Sequence, residues 1–261
     1  MPGRIQSIER AAAILRLMAG GARGLSLAEI SRSLDLPKGT VLGILRTLQH
    51  VGFVEQDDAT GQYQLGGGVL RLGTRYLDGN ELRTRALNWA DSLAARSGES
   101  VRIGTLHEEQ VLVVHHVFRP DDSRQTLEVG TLLPLHASAL GKTLMAFDPL
   151  AVPEEPSVET AVEAAELPGY TAHTITSFTA LMAELESVRA NGWAAELEEL
   201  VDGEVAIAAP IRDRRGTAVG AIGLSGAVER LRDDRGLRMD QVSYVRDAAR
   251  SISRELGAHP W

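Results

Sequence analysis

Read by the spacing of its apolar positions, the chain opens with helical periods. Residues 7–19 set Ile8, Ala12, Leu15 and Met18 on one side of a helix that ends at Gly20-Gly21. A second helix, 26–34, starts on Ser26 with Glu29 three positions later, the spacing of a capping box. Leu36-Pro37 interrupts it, with Pro37 where a first helical turn tolerates proline. The next helix carries Val41, Ile44, Leu45 and Leu48 at i, i+3, i+4 and i+7, a single buried stripe. Phe53-Val54-Glu55 and Tyr63-Gln64-Leu65 then flank a turn-rich tip at 57–61, which predicts a hairpin. That order is a winged helix-turn-helix, and it makes double-stranded DNA the first partner to consider.

Gly66-Gly67-Gly68 closes this unit, 69–77 reads as a linker helix, and Asp78-Gly79-Asn80 as a joint. An amphipathic helix follows at 81–97, using Leu82, Ala86, Trp89, Leu93 and Ala94. From Glu99 the period shortens: 100–106, 111–117 and 125–129 read as strands, with a turn at Glu108-Glu109. A helix at 136–147, an irregular Glu-rich stretch at 149–168, and a helix at 177–191 ending on Gly192 come next. Strands at 193–197, 205–211 and 218–224 and a helix at 239–256 complete the chain. The expected fold is α+β in two domains: a winged helix-turn-helix at 4–66, a linker helix at 67–80, and at 81–258 a GAF-like antiparallel sheet with flanking helices. Such a sheet holds a small molecule beneath a covering loop or helix.

Composition narrows the classes. The 261 residues include no cysteine, which removes disulfides, thiolate nucleophiles and thiolate metal sites. No apolar run approaches the ~18 residues that span a bilayer, so the expectation is a cytoplasmic protein without membrane contact. The net charge of −8 divides unevenly: residues 1–79 hold nine Lys/Arg against seven Asp/Glu, and the remainder 18 against 28. A mildly basic reader joined to an acidic second domain fits a sequence-specific regulator better than a nonspecific DNA coater.

Several motifs come to nothing. Residues 138–143, Ser-Ala-Leu-Gly-Lys-Thr, end like a phosphate-binding loop, but His136 stands where that motif needs glycine. Gly141 then reads as helix packing and Lys142 as a surface charge. Gly223-Leu224-Ser225-Gly226 lacks the spacing of a nucleophile elbow. His115 and His116, as strand neighbours, point to opposite faces and cannot chelate together. No catalytic constellation, metal site or cofactor is therefore expected. A small-metabolite enzyme and a ligand-independent architectural DNA-binding protein remain as rivals, the latter disfavoured by the acidic second domain.

In a helix-turn-helix the second helix enters the major groove, N-terminal residues nearest the bases. Its outward line here is Gly39, Gly43, Arg46 and His50, with Leu42 beside it. Arg46 is the base reader to test, since a guanidinium can bond guanine O6 and N7 together; the alternative is a solvated surface charge. Leu42 suits a thymine methyl, while Lys38 and Thr40 suit phosphate. Gly43 costs about 1 kcal/mol of helix stability relative to alanine. A line this bare is expected to need the wing, Arg4, Arg10 and pairing of two copies, with 7–19 and 69–77 as the pairing surface and a dimer of dimers as the larger assembly.

Three blocks resemble the IclR family of bacterial transcriptional regulators: SIERAAAILRLMA with LPKGTVLGILRTL, GTLLPLHASALGKTLMAF, and VRANGWAAELEELVDGEVAIAAPIRD leading into AIGLSGAVERL. The chain departs from that pattern at Gly39, Leu42 and Gly43, where relatives carry more polar residues. The resemblance implies an effector pocket built from Ala139 and Leu140 through their N–H groups, with Glu196, Ala206, Gly223 and Ser225. Ala206 and Gly223 stand where Cys and Ser are frequent, which removes two polar contacts and predicts a roomier pocket. Arg102, His116 and Arg119 are the nearest cations for a phosphate. Within the family, ILRTLQHVGFVEQD, HHVFRPDDSRQ, LHASALGK and APIRDRR resemble regulators of glycerol operons, implying a repressor that responds to glycerol 3-phosphate or glycerol. Control of another catabolic operon by a different organic acid or polyol is the alternative.

Overall fold

The computed structural model describes residues 5–20, 24–121, 123–148 and 167–259, in two compact units, Met1–Gly79 and Asn80–Trp261. Arg4 and most of the stretch expected to be irregular at 149–168 lie outside the described residues.

The first unit runs α1 (Gln6–Ala19), α2 (Leu27–Ser33), α3 (Lys38–His50), β1 (Val54–Gln56), β2 (Tyr63–Leu65) and α4 (Gly67–Asp78). Ser26 caps α2 as its spacing predicts: its Oγ accepts the Glu29 N–H, and the Glu29 carboxylate accepts the Ser26 N–H at 2.8 Å. The α2–α3 turn is fixed by Ser31, whose Oγ donates to the Leu36 carbonyl at 2.6 Å, and by Asp35 at φ +49°, a conformation Asp tolerates better than most residues. Pro37 is the N-cap of α3 rather than its first helical residue. Ile14, Met18, Ile30, Val41, Leu45, Leu48, Val54 and Tyr63 form the core of this unit. The inward face of α1 differs from its expected one. Ile14 and Met18 are buried, with Ala11, Leu15 and Leu17 packed beside them, whereas Ile8 is 62% exposed in the first turn of α1, where residues 6–9 are all exposed. Gly66 and Gly68 let α4 start directly against the α3–β1 turn, where a Cβ on either would collide with the Gly52 carbonyl.

The second unit contains α5 (Glu81–Ser97), β3 (Ser100–His107), β4 (Gln110–Val117), β5 (Leu132–Pro134), α6 (Ala139–Phe147), α7 (Phe178–Asn191), β6 (Ala194–Leu197), β7 (Glu204–Arg212), β8 (Ala218–Ala227), α8 (Val228–Leu231), β9 (Arg232–Asp233), β10 (Gly236–Leu237) and α9 (Met239–Glu255). Six strands pair in the order β5-β4-β3-β8-β7-β6, antiparallel throughout. The third strand is not 125–129, as the pattern predicts, but β5. Residues 125–129 form a loop in which the Glu128 N–H donates to His116 Nδ1 and Gln125 closes onto the Arg119 backbone. The helix expected at 136–147 begins only at Ala139, after Ser138 caps it by accepting the Gly141 N–H. One sheet face carries α5 and α9 on Val101, Ile103, Val205, Ile207, Ile211 and Leu224; the other carries α6 on Val111, Val113, Ala206, Ala208 and Ala221, with α7 packed on α6. His115, paired with Ile103, lies on the α5 side and His116, paired with Arg102, on the α6 side, because neighbouring strand residues alternate.

Candidate functional site

Two places gather the residues singled out in the sequence. The first is the outer surface of α3. Val41, Leu45 and Leu48 are buried, and Lys38, Gly39, Gly43, Arg46, Thr47 and His50 are exposed, with Thr40 and Leu42 half-buried at the margin. A Cβ placed on Gly39 or Gly43 would meet nothing within 4 Å, so neither glycine is required by packing inside the chain. Thr47 bonds back to the Gly43 carbonyl at 3.1 Å. Lys38 and Arg46 make no ion pair among the described residues, and α3 has no acid in its first turn. The hairpin is a different surface. Its tip is ordered by Asp57, whose carboxylate accepts from the Ala59 and Thr60 N–H groups and the Thr60 hydroxyl, and those bonds hold its pKa below the usual range. With Glu55 and Asp58 beside Asp57 and no Lys or Arg from Val51 to Leu65, the wing presents negative charge. Phosphate contacts must then come mainly from the helices.

The second place is a cavity between the sheet and α6. Register explains it. One row across the sheet reads Glu196, Ala206, Ser225 and Ser100; the next reads Ala194, Ala208, Gly223, Arg102 and His116. Because strand side chains alternate, both rows face α6. Ala139, Leu140, Glu196, Ala206, Gly223 and Ser225 thus line one cavity, joined by Arg102, Ser138, Leu133 and Leu200. Ser138 orients the rim, its Oγ donating to the Pro134 carbonyl at 2.6 Å while taking the Gly141 N–H. The N–H groups of Ala139 and Leu140, at the first two helical positions, have no backbone partner among the described residues.

The charges there are strongly organised. Arg102 is held by Glu128 (Nε to Oε2, 2.6 Å) and Glu204 (Nη2 to Oε1, 3.3 Å). Glu196 is 3% exposed, and burial pushes its carboxyl up to about 7, against the lowering effect of the Leu200 N–H bonded to its Oε1 at 3.2 Å. Glu204 and Glu199 add to the rise. His116, opposite Arg102, opens onto a wider groove that it shares with Arg119, which is ion-paired to Asp121. Of the three cations considered for a phosphate, only Arg102 lines the cavity.

Two expectations are corrected here. The cavity is not roomy: a water-sized sphere has about 10 Å³ to move in, space for roughly one water. Lacking a side chain, Gly223 lets β7 close in, so that a Cβ there would lie 2.6 Å from the Ile207 carbonyl oxygen. Nor is Lys142 on the surface. It is 1% exposed, with Nζ 2.6 Å from Glu199 and 3.3 Å from Glu184. Glu199 also accepts the Leu197 N–H, so Lys142 anchors the turn that follows Glu196. An apolar setting at a lone lysine is invisible without knowing that α7 and this turn pack over α6.

The comparisons agree with this fold. The family description "IclR helix-turn-helix domain" matches residues 7–58, and "Bacterial transcriptional regulator IclR C-terminal" matches 74–254. The glycerol operon regulatory protein of Streptomyces coelicolor is 57% identical over 258 residues, covering 99% of each chain. That of Streptomyces griseus is 52% identical with the same coverage. Among solved structures, an IclR transcriptional regulator from Alicyclobacillus acidocaldarius shares the fold at a TM-score of 0.79 and 24% identity, over 98% of both chains. The chain belongs to the IclR family of bacterial transcriptional regulators.

Proposed function

We propose that this regulator is a cytoplasmic repressor of glycerol catabolic genes whose hold on operator DNA is set by glycerol 3-phosphate, or glycerol itself, bound in the cavity beneath α6. The observation that carries the reading is the convergence of Arg102, the N–H groups of Ala139 and Leu140, and Glu196 on one enclosed space. A guanidinium and a helix N-terminus receive a phosphate, and the Glu196 carboxyl receives the hydroxyls of a polyol. The naming of both Streptomyces relatives supports the choice of effector class. Since the cavity has room for about one water, the ligand enters by spreading its walls. That movement is the means by which binding is felt elsewhere in the unit.

DNA is read by α3, with Arg46 on base edges, Leu42 on a thymine methyl, Lys38 and Thr40 on phosphate, and Gly39 and Gly43 giving the backbone close approach. Two copies pair through α1 and α4. Ile5, Ile8, Leu70, Leu72 and Tyr76 are all more than half exposed on a single copy, and α4 buries no residue of its own. A dimer of dimers builds on that pair.

The test is a gel shift on the DNA upstream of the protein's own gene, with and without glycerol 3-phosphate. The expected result is a retarded complex that the effector changes, and an Arg46→Ala protein that loses roughly ten- to a hundredfold in discrimination for the site. A flat calorimetric titration against both glycerol 3-phosphate and glycerol would remove the effector assignment, and unchanged footprints for Arg46→Ala the readout.

A further inference from the structure

We infer that Glu128 is the anion-selecting residue of the effector site: it holds Arg102 in the ligand's place, and only an anionic ligand displaces it, releasing the loop 123–131 that carries it. This rests on Arg102 receiving the effector's phosphate, as proposed above. It also separates the two effectors considered there, since glycerol has no charge to offer.

Arg102 stands between two spaces. It lines the cavity beneath α6, while its partners Glu128 and Glu204 line a separate groove of about 570 Å³, and Ser225 belongs to both walls. The guanidinium is drawn toward the groove. Nη2 donates to Glu128 Oε1 at 3.0 Å and to Glu204 Oε1 at 3.3 Å, and Nε lies 2.6 Å from Glu128 Oε2. A phosphate can grip a guanidinium with two oxygens at its side, through Nε and Nη2, or at its end, through Nη1 and Nη2. Either fork includes Nη2, whose two N–H groups are both spent on the glutamates. A neutral hydroxyl cannot win it from them, because charge-assisted bonds are about twice as strong as neutral ones.

Of the two glutamates, Glu128 is the one built to leave. Glu204 opens β7, paired with Ala227, and its N–H and carbonyl are tied to Val201 and Glu198. Glu128 lies in a loop pinned at its two ends. Gln125 bonds both backbone groups of Arg119, and the Gly130 N–H donates to the Val113 carbonyl at 2.8 Å. Between those pins Thr126 and Leu127 are exposed, and the Glu128 N–H reaches His116 Nδ1 only at 3.3 Å, long for a hydrogen bond. The firmest tie of this stretch to the sheet is therefore the pair with Arg102. Two carboxylates and a phosphate around one guanidinium leave an excess of negative charge, so an arriving phosphate expels the carboxylate that is free to move.

The test is calorimetry of glycerol 3-phosphate and of glycerol on the full chain and on Glu128→Gln, with limited trypsin digestion as a second readout. Gln keeps the shape of Glu128 without its charge. The variant should bind glycerol 3-phosphate about tenfold more tightly, because no charged pair has to be broken first, and its affinity for glycerol should stay the same. Glu204→Gln should move in the same direction by less, its contact being single and longer. In the unsubstituted protein, glycerol 3-phosphate should speed the trypsin cut after Arg124, which is exposed in the loop, and glycerol should not. Glycerol 3-phosphate binding that is unchanged or weaker in Glu128→Gln overturns the inference and leaves the effector reading standing. So does an equal gain toward glycerol, or a cut after Arg124 that glycerol 3-phosphate slows or leaves unaltered. Failure of all three proteins to bind either ligand removes both.

Discussion

Two helices of this protein carry the same three residue types near their N-termini and use them in opposite ways. In α3, Lys38-Gly39-Thr40 opens the helix with lysine and glycine exposed and open space beside the glycine. In α6, Gly141-Lys142-Thr143 starts at the third helical position and is entirely buried. A Cβ on Gly141 would run into the carbonyl oxygen and Cα of Leu135, and Lys142 is the largest of the side chains that are essentially inaccessible. Glycine in α3 keeps a surface bare for something outside the chain, whereas in α6 it permits an approach within it. Lysine in α3 is a charge on offer; in α6 it is one half of an internal bond. Neighbours decide, and the difference can be broken deliberately.

The largest effect should come from Lys142→Met. It strands Glu199, whose side chain is 7% exposed, without its cation. Removing one partner of a buried pair costs about 3–5 kcal/mol. Chemical denaturation should show that loss in Lys142→Met, and recovery of most of it in Lys142→Met/Glu199→Met, where the only carboxylate left behind is that of Glu184, a third exposed to solvent. Lys38→Met at the start of α3 should move stability by less than about 0.5 kcal/mol. A small loss in Lys142→Met would mean the pair is solvated and the contrast false.

Gly141→Ala comes next. The overlap is with backbone, which cannot swing aside, so a loss of about 1–3 kcal/mol is expected by the same measurement. An unchanged midpoint would show that α6 can slide away from Leu135.

Glu196→Gln tests the cavity wall through pH. The buried carboxyl holds its proton up to about 7, where an unperturbed glutamate gives it up near 4.5. Between those values the folded state binds more protons than the unfolded one, so stability falls as pH rises through that window and is level above it. Gln keeps the acceptor for the Leu200 N–H but carries no charge. It should be more stable than the parent at pH 8 by about 3 kcal/mol, with the gap closing toward pH 4.5. By the same logic, an anionic effector beside Glu196 should bind more weakly as pH climbs past 7. Parallel pH–stability curves for the two proteins would show that Glu196 is charged throughout.

Much of this contrast could be read in the sequence, though not its α6 half. The buried stripe of α3, the Ser26 cap and the hairpin follow from local spacing, and local spacing also exposes Gly39, Gly43 and Arg46. The sheet rows that bring Glu196, Ala206, Gly223 and Ser225 together depend on register between strands far apart in the chain; only the family resemblance pointed to those residues. Ile8 was misplaced because periodicity says which residues share a face and not whether anything covers it. The strand at 125–129 failed because Gln125 and Glu128 are spent on the Arg119 backbone, His116 and Arg102 rather than on a ladder. Lys142 and the tightness at Gly223 are tertiary facts with no one-dimensional signal.

The smallest effect sharpens the comparison most, because its two readouts should part company. Gly43→Ala in α3 meets no atom within 4 Å, and its helical interior position favours alanine. The folded protein should therefore gain about 1 kcal/mol, the opposite sign to Gly141→Ala. If the bare line serves close approach to DNA, the added methyl should at the same time weaken operator binding, measured by gel shift at fixed salt. A gain in stability with undiminished binding would show that the methyl is accommodated and that Gly43 is not needed for contact. A loss of stability would place an unseen neighbour over α3, and the surface taken here as open to DNA would already be covered.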